Sequence, residues 1–227
     1  MAESGWVRDQ YQYSWLQRLG INVIRVGSIP RHVAVIMDGN RRFAKQSGVA
    51  TIEGHTKGFD KLAETLQWCR ELGVKEVTVY AFSIENFKRG EKEVDGLLNL
   101  AKEKFKVLIS EEEKLKKHGV RVKIIGNTSY LPEDMQKIVK KAEEITEKNT
   151  EATLNVAFSY TSREEITHAV LESSRIVQQG DLKPEEIDED LLESLMYTKH
   201  SSKPDLLIRT SGETRLSDFL LWQASSR

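Results

Sequence analysis

Val33–Lys45 reads VAVIMDGNRRFAK, an apolar run that stops on a lone carboxylate, a glycine and an amide, with two arginines directly behind. Val33 to Met37 is rich in β-branched residues and lacks polar alternation, the pattern of a strand buried on both faces. Asp38-Gly39-Asn40 breaks that run. Turn chemistry alone reads the three residues as a strand-to-helix turn with Asn40 as the helix cap. A second reading makes the same turn a ligand site at the carboxyl end of a strand, and the rest of the chain decides between them.

Outward from this stretch, strands and helices alternate. HTKGFDKLAETLQWCRELGV places Phe59, Leu62, Leu66, Cys69 and Leu72 at helical spacing with Gly73 as a stop. EVTVYAFSIENF returns to strand chemistry, and EVDGLLNLAKEKFKVLISEEEKLKKHG reads as one long amphipathic helix closed by Gly119. VRVKIIGN is a third strand, Pro132 opens the charged helix EDMQKIVKKAEEITEKN, and ATLNVAFSY is a fourth strand. REEITHAVLESSRIVQQG, the short helix in KPEEIDEDLLESLMY, the strand DLLIRTSG and the helix begun by SDFLLWQ complete the series. Such alternation implies an α/β fold: a mostly parallel central sheet with helices on both faces.

Ligands in such folds bind beyond the carboxyl ends of the strands. Asp38, Asn40, Arg41 and Arg42 stand there after the first strand, and Ser83, Asn86 and Arg89 after the second. Asn127, then Ser159, Tyr160 and Arg163, then Arg209, Ser211, Arg215 and Ser217 follow the others. Six arginines thus gather at one rim, whereas the helices mix lysine, glutamate and arginine. A guanidinium fork matches phosphate oxygens, so two arginine clusters suggest two phosphorylated groups. Asp38, the acid at the first strand end, suits Mg²⁺ with phosphates supplying further oxygens. Gly39 admits a close approach to the backbone, and the helix N-terminus after Asn40 adds positive potential. The combination suits activation of a diphosphate leaving group.

The composition narrows the alternatives. With 227 residues and no abrupt shift in composition, one sizeable domain is expected. Lysine and arginine total 34 against 35 acids, for a formal net charge of -1, which argues against nucleic acid as a partner. Cys69 is the single cysteine and, inside a helical pattern, reads as a small buried hydrophobe. No apolar run approaches the roughly 20 residues that span a bilayer. The first 28 residues instead carry Trp6, Arg8, Tyr11, Tyr13, Trp15, Leu16, Arg18, Leu19, Val23, Arg25 and Val26, an amphipathic segment that suits a membrane surface or docking on the domain. Gly20 weakens its helix. Neither G-x-x-x-x-G-K-[ST] nor G-x-G-x-x-G after a strand occurs, and Asn40 stands where an aspartyl phosphatase would want a second acid. His32, His118, His168 and His200 have no metal-ligand spacing and read as surface or packing residues.

MDGNRRFAK, EGHTKGF, VYAFSIENFKR, NVAFSYTSREEI and PDLLIRTSGETRLSDFLLWQ together resemble the cis-prenyltransferases, the undecaprenyl and dehydrodolichyl diphosphate synthases, from about Pro30 to Gln223. Arg41, SIEN, TSG and the aromatic N-terminal segment are most similar to the eukaryotic dehydrodolichyl type. The resemblance implies repeated condensation of isopentenyl diphosphate onto farnesyl diphosphate in cis, giving long-chain polyprenyl diphosphate for dolichol synthesis and protein glycosylation. It implies Asp38 on Mg²⁺, with Gly39, Asn40, Arg41, Arg42 and Arg89 on the allylic diphosphate and Phe43 near the prenyl end. Arg209, Arg215 and Ser217 would take the diphosphate of isopentenyl diphosphate, while Asn86 and His55 assist orientation or proton handling. Leu62, Leu66, Leu97, Leu98, Phe105 and Leu108 are candidates for the wall of an apolar tunnel and equally for ordinary core.

The family usually places a basic residue between the DGN and EGH motifs, where this chain has Thr51. It also continues past FLLWQ, so a C-terminally truncated catalytic domain over 29–227, lacking its last strand and helix, is expected. A second subunit of the Nogo-B-receptor type with an Arg-x-Gly tail, and a peripheral place on the cytoplasmic face of the endoplasmic reticulum membrane, are the implied partners. The alternatives are a non-catalytic form that binds only ligand or partner, and a phosphate-ester hydrolase, for which no nucleophile and base pair is visible.

Overall fold

The computed structural model describes residues 5–7 and 13–225; Arg8 and Tyr11 of the amphipathic segment lie outside them. In chain order the elements are α1 (Trp15–Val26), β1 (His32–Ile36), α2 (Asn40–Ser47), α3 (Thr51–Leu72), β2 (Glu76–Ser83), α4 (Glu91–Ser110), α5 (Glu112–Lys117), β3 (Val120–Ile125), α6 (Glu133–Thr146), β4 (Ala152–Tyr160), α7 (Ser162–Gln179), α8 (Glu189–Leu195), β5 (Leu206–Arg209) and α9 (Leu221–Ser225). The strands form one parallel sheet in the order β3-β4-β2-β1-β5. The chain passes from β1 to one side and returns as β5 on the other, so the direction of winding reverses beside β1. A crevice opens at such a point, beyond the carboxyl ends of the strands.

Alternating residues divide between the two faces. Val33, Val35, Val77, Val79, Leu154 and Val156 pack with Leu62 of α3, Phe105 and Leu108 of α4 and Met135 and Val139 of α6. Ala34, Ile36, Ala157 and Tyr160 meet Phe219 and Leu220 on the other side. Both faces are covered, which is why β1 carries no polar alternation. At the amino ends of the strands, buried Asn155 is satisfied by Glu76, Thr78 and His200, and His32 bonds Ser202 O at 2.6 Å and Thr78 Oγ1 at 2.7 Å. His168 stacks on Tyr197. β5 is an edge strand of four residues, with Leu206 and Ile208 exposed.

Three local expectations change. Asn40 is the first residue of α2 rather than its cap, because Gly39 takes the cap position in the left-handed region at φ 91°. The long helix after β2 divides at Glu111, whose φ of -94° and ψ of 17° leave helical geometry. Its carboxylate accepts the N–H groups of Trp6 at 2.8 Å and Val7 at 3.3 Å. Trp6 therefore separates from the amphipathic segment and is buried, its indole N–H on Lys104 O at 2.7 Å and its ring edge-on to Phe59. Leu108 is fully buried core, so Leu108→Ala should cost about 2–5 kcal/mol in chemical denaturation.

Candidate active site

A cavity of about 630 Å³ opens at the reversal point. The strand ends and the start of α3 supply its polar groups, among them Asp38, Asn40, Arg41, His55, Asn86, Arg89, Arg209, Arg215 and Ser217. The interior of β2 and β4 with α3 and α4 supplies an apolar wall that includes Phe59, Leu62, Leu97, Leu100, Phe105 and Phe158. Next to it the pairing of β2 with β4 shifts register between Tyr80 and Ser83, and Tyr80, Ala81, Phe82 and Ser83 all line the space. Such irregularities re-aim side chains at strand ends.

Asp38 is placed by the seam between β1 and β5. Its N–H donates to Thr210 Oγ1 at 3.0 Å, and its carbonyl accepts from Thr210 Oγ1 at 2.9 Å and Ser211 Oγ at 2.8 Å. Oδ2 receives Arg209 Nη2 at 2.6 Å and Nε at 3.2 Å, and Oδ1 receives the Gly39 N–H at 2.6 Å. Burial pushes the Asp38 carboxyl up, but the bonds from Arg209 and Gly39 and the charges of Arg209 and Arg42 outweigh it and hold it below its ordinary value. Arg209 Nη1 also donates to Ser217 Oγ at 2.6 Å and to Arg215 O. The connection from β5 to α9 is strained: Ser211, Ser217, Asp218 and Leu220 all hold positive φ without being glycine.

His55 projects from α3 with Nδ1 3.5 Å from Asn40 Nδ2, while Nε2 is buried with no hydrogen-bond partner. Burial first, then Arg89 and Arg41, push its pKa below the ordinary value of 6.5, with Glu93 opposing. The imidazole is therefore neutral at pH 7, and acceptance at Nδ1 leaves Nε2 as a buried donor without a partner on a residue that lines the cavity. Asn86 accepts the Ser83 N–H at 3.0 Å and so fixes the turn that carries Arg89, which pairs with Glu93 at 2.9 Å. Burial raises the Tyr80 hydroxyl to about 12, helped by Asp218 and Glu85 and opposed by a bond from Ser83 and the charge of Arg209, which keeps it a donor.

Gly39, Arg42 and Phe43 do not line the cavity. Asn40 and Ala44 turn α2 toward α3, where Gly54 and Gly58 leave room only because they lack a Cβ. Arg41 and Phe43, two residues apart, then project to nearly opposite flanks. Phe43 is exposed beneath Lys57 Nζ, 5.7 Å from its ring centre, rather than beside the prenyl end of the cavity. Arg42 reaches Ser211 O at 2.9 Å. Of the six leucine and phenylalanine tunnel candidates, Leu62, Leu97 and Phe105 face the space, while Leu66, Leu98 and Leu108 do not. Asn127 bonds Glu164 at 2.8 Å, away from the lining, and Ser159 and Tyr160 are buried.

The profile of a family described as "Putative undecaprenyl diphosphate synthase" matches residues 36–227. The chain belongs to this prenyltransferase family. It is 54% identical to a mouse dehydrodolichyl diphosphate synthase complex subunit and 53% identical to the human one, each over 97% of this chain and 66% of the relative. A Schizosaccharomyces pombe dehydrodolichyl diphosphate synthase complex subunit is 47% identical over 96% of this chain and 81% of its own length. The chain thus spans about two thirds of the length of the mammalian relatives. Among solved structures, lavandulyl diphosphate synthase from Lavandula x intermedia in complex with dimethylallyl diphosphate superposes with a TM-score of 0.80 at 35% identity, covering 86% of this chain and 83% of that one.

Sequence reading missed several lining groups of this family member: Trp6, Tyr80, Leu100, Ala101, Lys104, Phe158 and Asp218. Asp218 binds the Arg163 side chain, Nε to Oδ2, at 2.8 Å, and its place directly after Ser217 was the available signal. The others sit in strands and helices whose apolar character says nothing of which residue meets an open space.

Two outcomes follow from this geometry. Gly39→Ala places a Cβ at positive φ against Ser211 Oγ, and should lower stability by about 1–3 kcal/mol in denaturant titration. A base held below its ordinary value binds fewer protons folded than unfolded, so the His55 contribution falls away as pH drops through 6.5. NMR titration of the imidazole should give a midpoint below 6.5, and Arg89→Gln should move it back upward.

Proposed function

We propose that this chain is the catalytic subunit of a Mg²⁺-dependent cis-prenyltransferase that condenses isopentenyl diphosphate onto farnesyl diphosphate to give dehydrodolichyl-type polyprenyl diphosphate for dolichol synthesis and glycosylation. The observation that carries the reading is the continuity of one cavity, with arginines and Asp38 at the strand ends and an apolar wall of about a prenyl chain's character behind them. A volume of about 630 Å³ lies in the range of small-ligand pockets, roughly 300–1,000 Å³.

In this reading Asn40, Arg41 and Arg89 hold the allylic diphosphate, which departs as C1–O breaks and the alkene of isopentenyl diphosphate forms the new C–C bond. Gly39 and Arg42 act from outside the lining, Gly39 by shaping the turn and Arg42 through the Ser211 carbonyl. Arg209, Arg215 and Ser217 hold the second diphosphate. The neutral His55 offers its Nε2–H to an anionic oxygen, Asn86 keeps Arg89 in place, and the proton lost from isopentenyl diphosphate passes to an oxygen of the released diphosphate. Among the described residues no three metal-ligating side chains cluster, yet one carboxylate fits Mg²⁺, which takes one or two carboxylates and fills its shell with phosphate oxygens and water. Asp38 would hold it. When bound, the ion supplies neutralisation of the departing diphosphate.

We also propose peripheral attachment to the cytoplasmic face of the endoplasmic reticulum membrane through α1, together with a Nogo-B-receptor-type partner subunit. Trp15, Leu16, Leu19, Val23, Ile24 and Val26 are all more than half exposed, a feature that favours insertion into a lipid interface. Among the described residues no helix is long and apolar enough to cross a membrane.

The test incubates labelled isopentenyl diphosphate and farnesyl diphosphate with Mg²⁺, with and without the partner. Long polyprenyl diphosphate is the expected product, and Asp38→Ala should reduce it by at least about 100-fold. Ligand binding without elongation in the presence of partner would favour a non-catalytic binder, and phosphate release without elongation a hydrolase. Val23→Glu should weaken liposome partitioning by about tenfold or more in a flotation assay.

A further inference from the structure

Arg209 and Asp38 are assigned above to different ligands, yet each is occupied by the other. Of the five N–H bonds of a guanidinium, Arg209 commits four: Nε and one of Nη2 to Asp38 Oδ2, and two of Nη1 to Ser217 Oγ and Arg215 O. Its side chain is 9% exposed. Arg215, by contrast, is 72% exposed and reaches only Glu213 at 3.8 Å. Asp38 is equally committed, with Oδ2 on Arg209 and Oδ1 on the Gly39 N–H. As they stand, the arginine has a single uncommitted N–H for a diphosphate, and the carboxylate, 30% exposed, has Oδ2 taken twice by Arg209 and only one lone pair of Oδ1 left for a cation.

We propose that Arg209 is an internal placeholder for the divalent cation: Asp38 exchanges Arg209 for the cation as Arg209 turns to the homoallylic diphosphate. This rests on the function proposed above and adds a coupling to it. Separating the pair for one ligand alone would leave the other charge without its counter-charge, most unfavourably for Arg209, whose side chain is 9% exposed against 30% for Asp38. Exchanging both at once leaves neither. The main chain of Asp38 and of β5 need not move, because Thr210 and Ser211 pin the Asp38 backbone and Arg209 belongs to β5. The part that yields is the Arg215–Ser217 stretch, whose carbonyl and hydroxyl hold Nη1 and whose Ser217 sits at positive φ. Cation and diphosphate then favour each other's binding reciprocally.

The experiment uses the full chain without allylic substrate, so that no turnover occurs. Free Mn²⁺ is counted by electron paramagnetic resonance, and isopentenyl diphosphate binding is measured in EDTA by calorimetry. Without diphosphate, Arg209→Gln should bind Mn²⁺ about tenfold more tightly than wild type, while Arg215→Gln, which removes an equal charge without touching Asp38, should change it less than about threefold. In EDTA, Asp38→Ala should tighten isopentenyl diphosphate binding, and the double variant Asp38→Ala/Arg209→Gln should lose that gain. Unchanged or weaker Mn²⁺ binding by Arg209→Gln overturns the placeholder. So does a gain in Asp38→Ala that survives loss of Arg209, and this arm decides alone if the Arg209 single variant fails to fold by circular dichroism. If wild type binds Mn²⁺ and isopentenyl diphosphate together but these variants behave otherwise, only the coupling fails. If wild type binds neither, the proposed function fails with it.

Discussion

The seam between β1 and β5 is the constraint on which the site depends. Strands that meet only through their main chains would leave Asp38 on a free-swinging turn, because Gly39 imposes no side-chain contact of its own. Two hydroxyls remove that freedom by gripping the Asp38 peptide from both sides, Thr210 on its N–H and carbonyl and Ser211 on the carbonyl. The acid from the start of the chain and the arginine from near its end therefore meet although 171 residues separate them. Everything else at the rim is arranged around that fixed point.

The cavity owes its two-sided character to the same sheet. Beyond the strand ends the chain turns into loops and helix starts, and these carry most of the arginines, the asparagines and, on α3, His55. A few residues back along β2 and β4 the side chains belong to a face that helices cover, and these must be apolar. One opening that spans both zones is polar at one side and oily at the other without any dedicated device. The shift of register in β2 sharpens the boundary by placing four consecutive residues, Tyr80 to Ser83, on the lining.

How much of this was legible varies with the kind of signal. The β-branched run at Val33, the glycine stops and the alternation of periods gave strand and helix order, and with it the rule that placed Asp38, Asn86 and Arg209 near one rim. Local competition was harder. Asn40 is a good cap by propensity, but Gly39 tolerates φ 91° and takes the cap, so the helix begins one residue earlier than propensity suggested. Periodicity showed that Leu97 and Leu98 lie on an amphipathic helix without fixing which of them faces the cavity, since that phase depends on how α4 sits against the sheet. The buried Glu111 that receives Trp6 and Val7 was invisible, because it looked like one more acid in a charged helix. Contact between Asp38 and Arg209 was equally hidden: both were read as ligand groups, and nothing in their spacing said they would first bind each other.

The short strand β5 has a further consequence. Its outer side offers unpaired main-chain donors and acceptors beside Leu206 and Ile208, which stand 45% and 40% exposed at alternate positions. A bare ribbon of that kind is a template for adding a foreign strand, and its brevity is the main restraint on doing so. Concentrated preparations of the chain are thereby inclined toward lateral self-association, with a margin set by four residues of backbone, since their one charge, Arg209, is turned to Asp38.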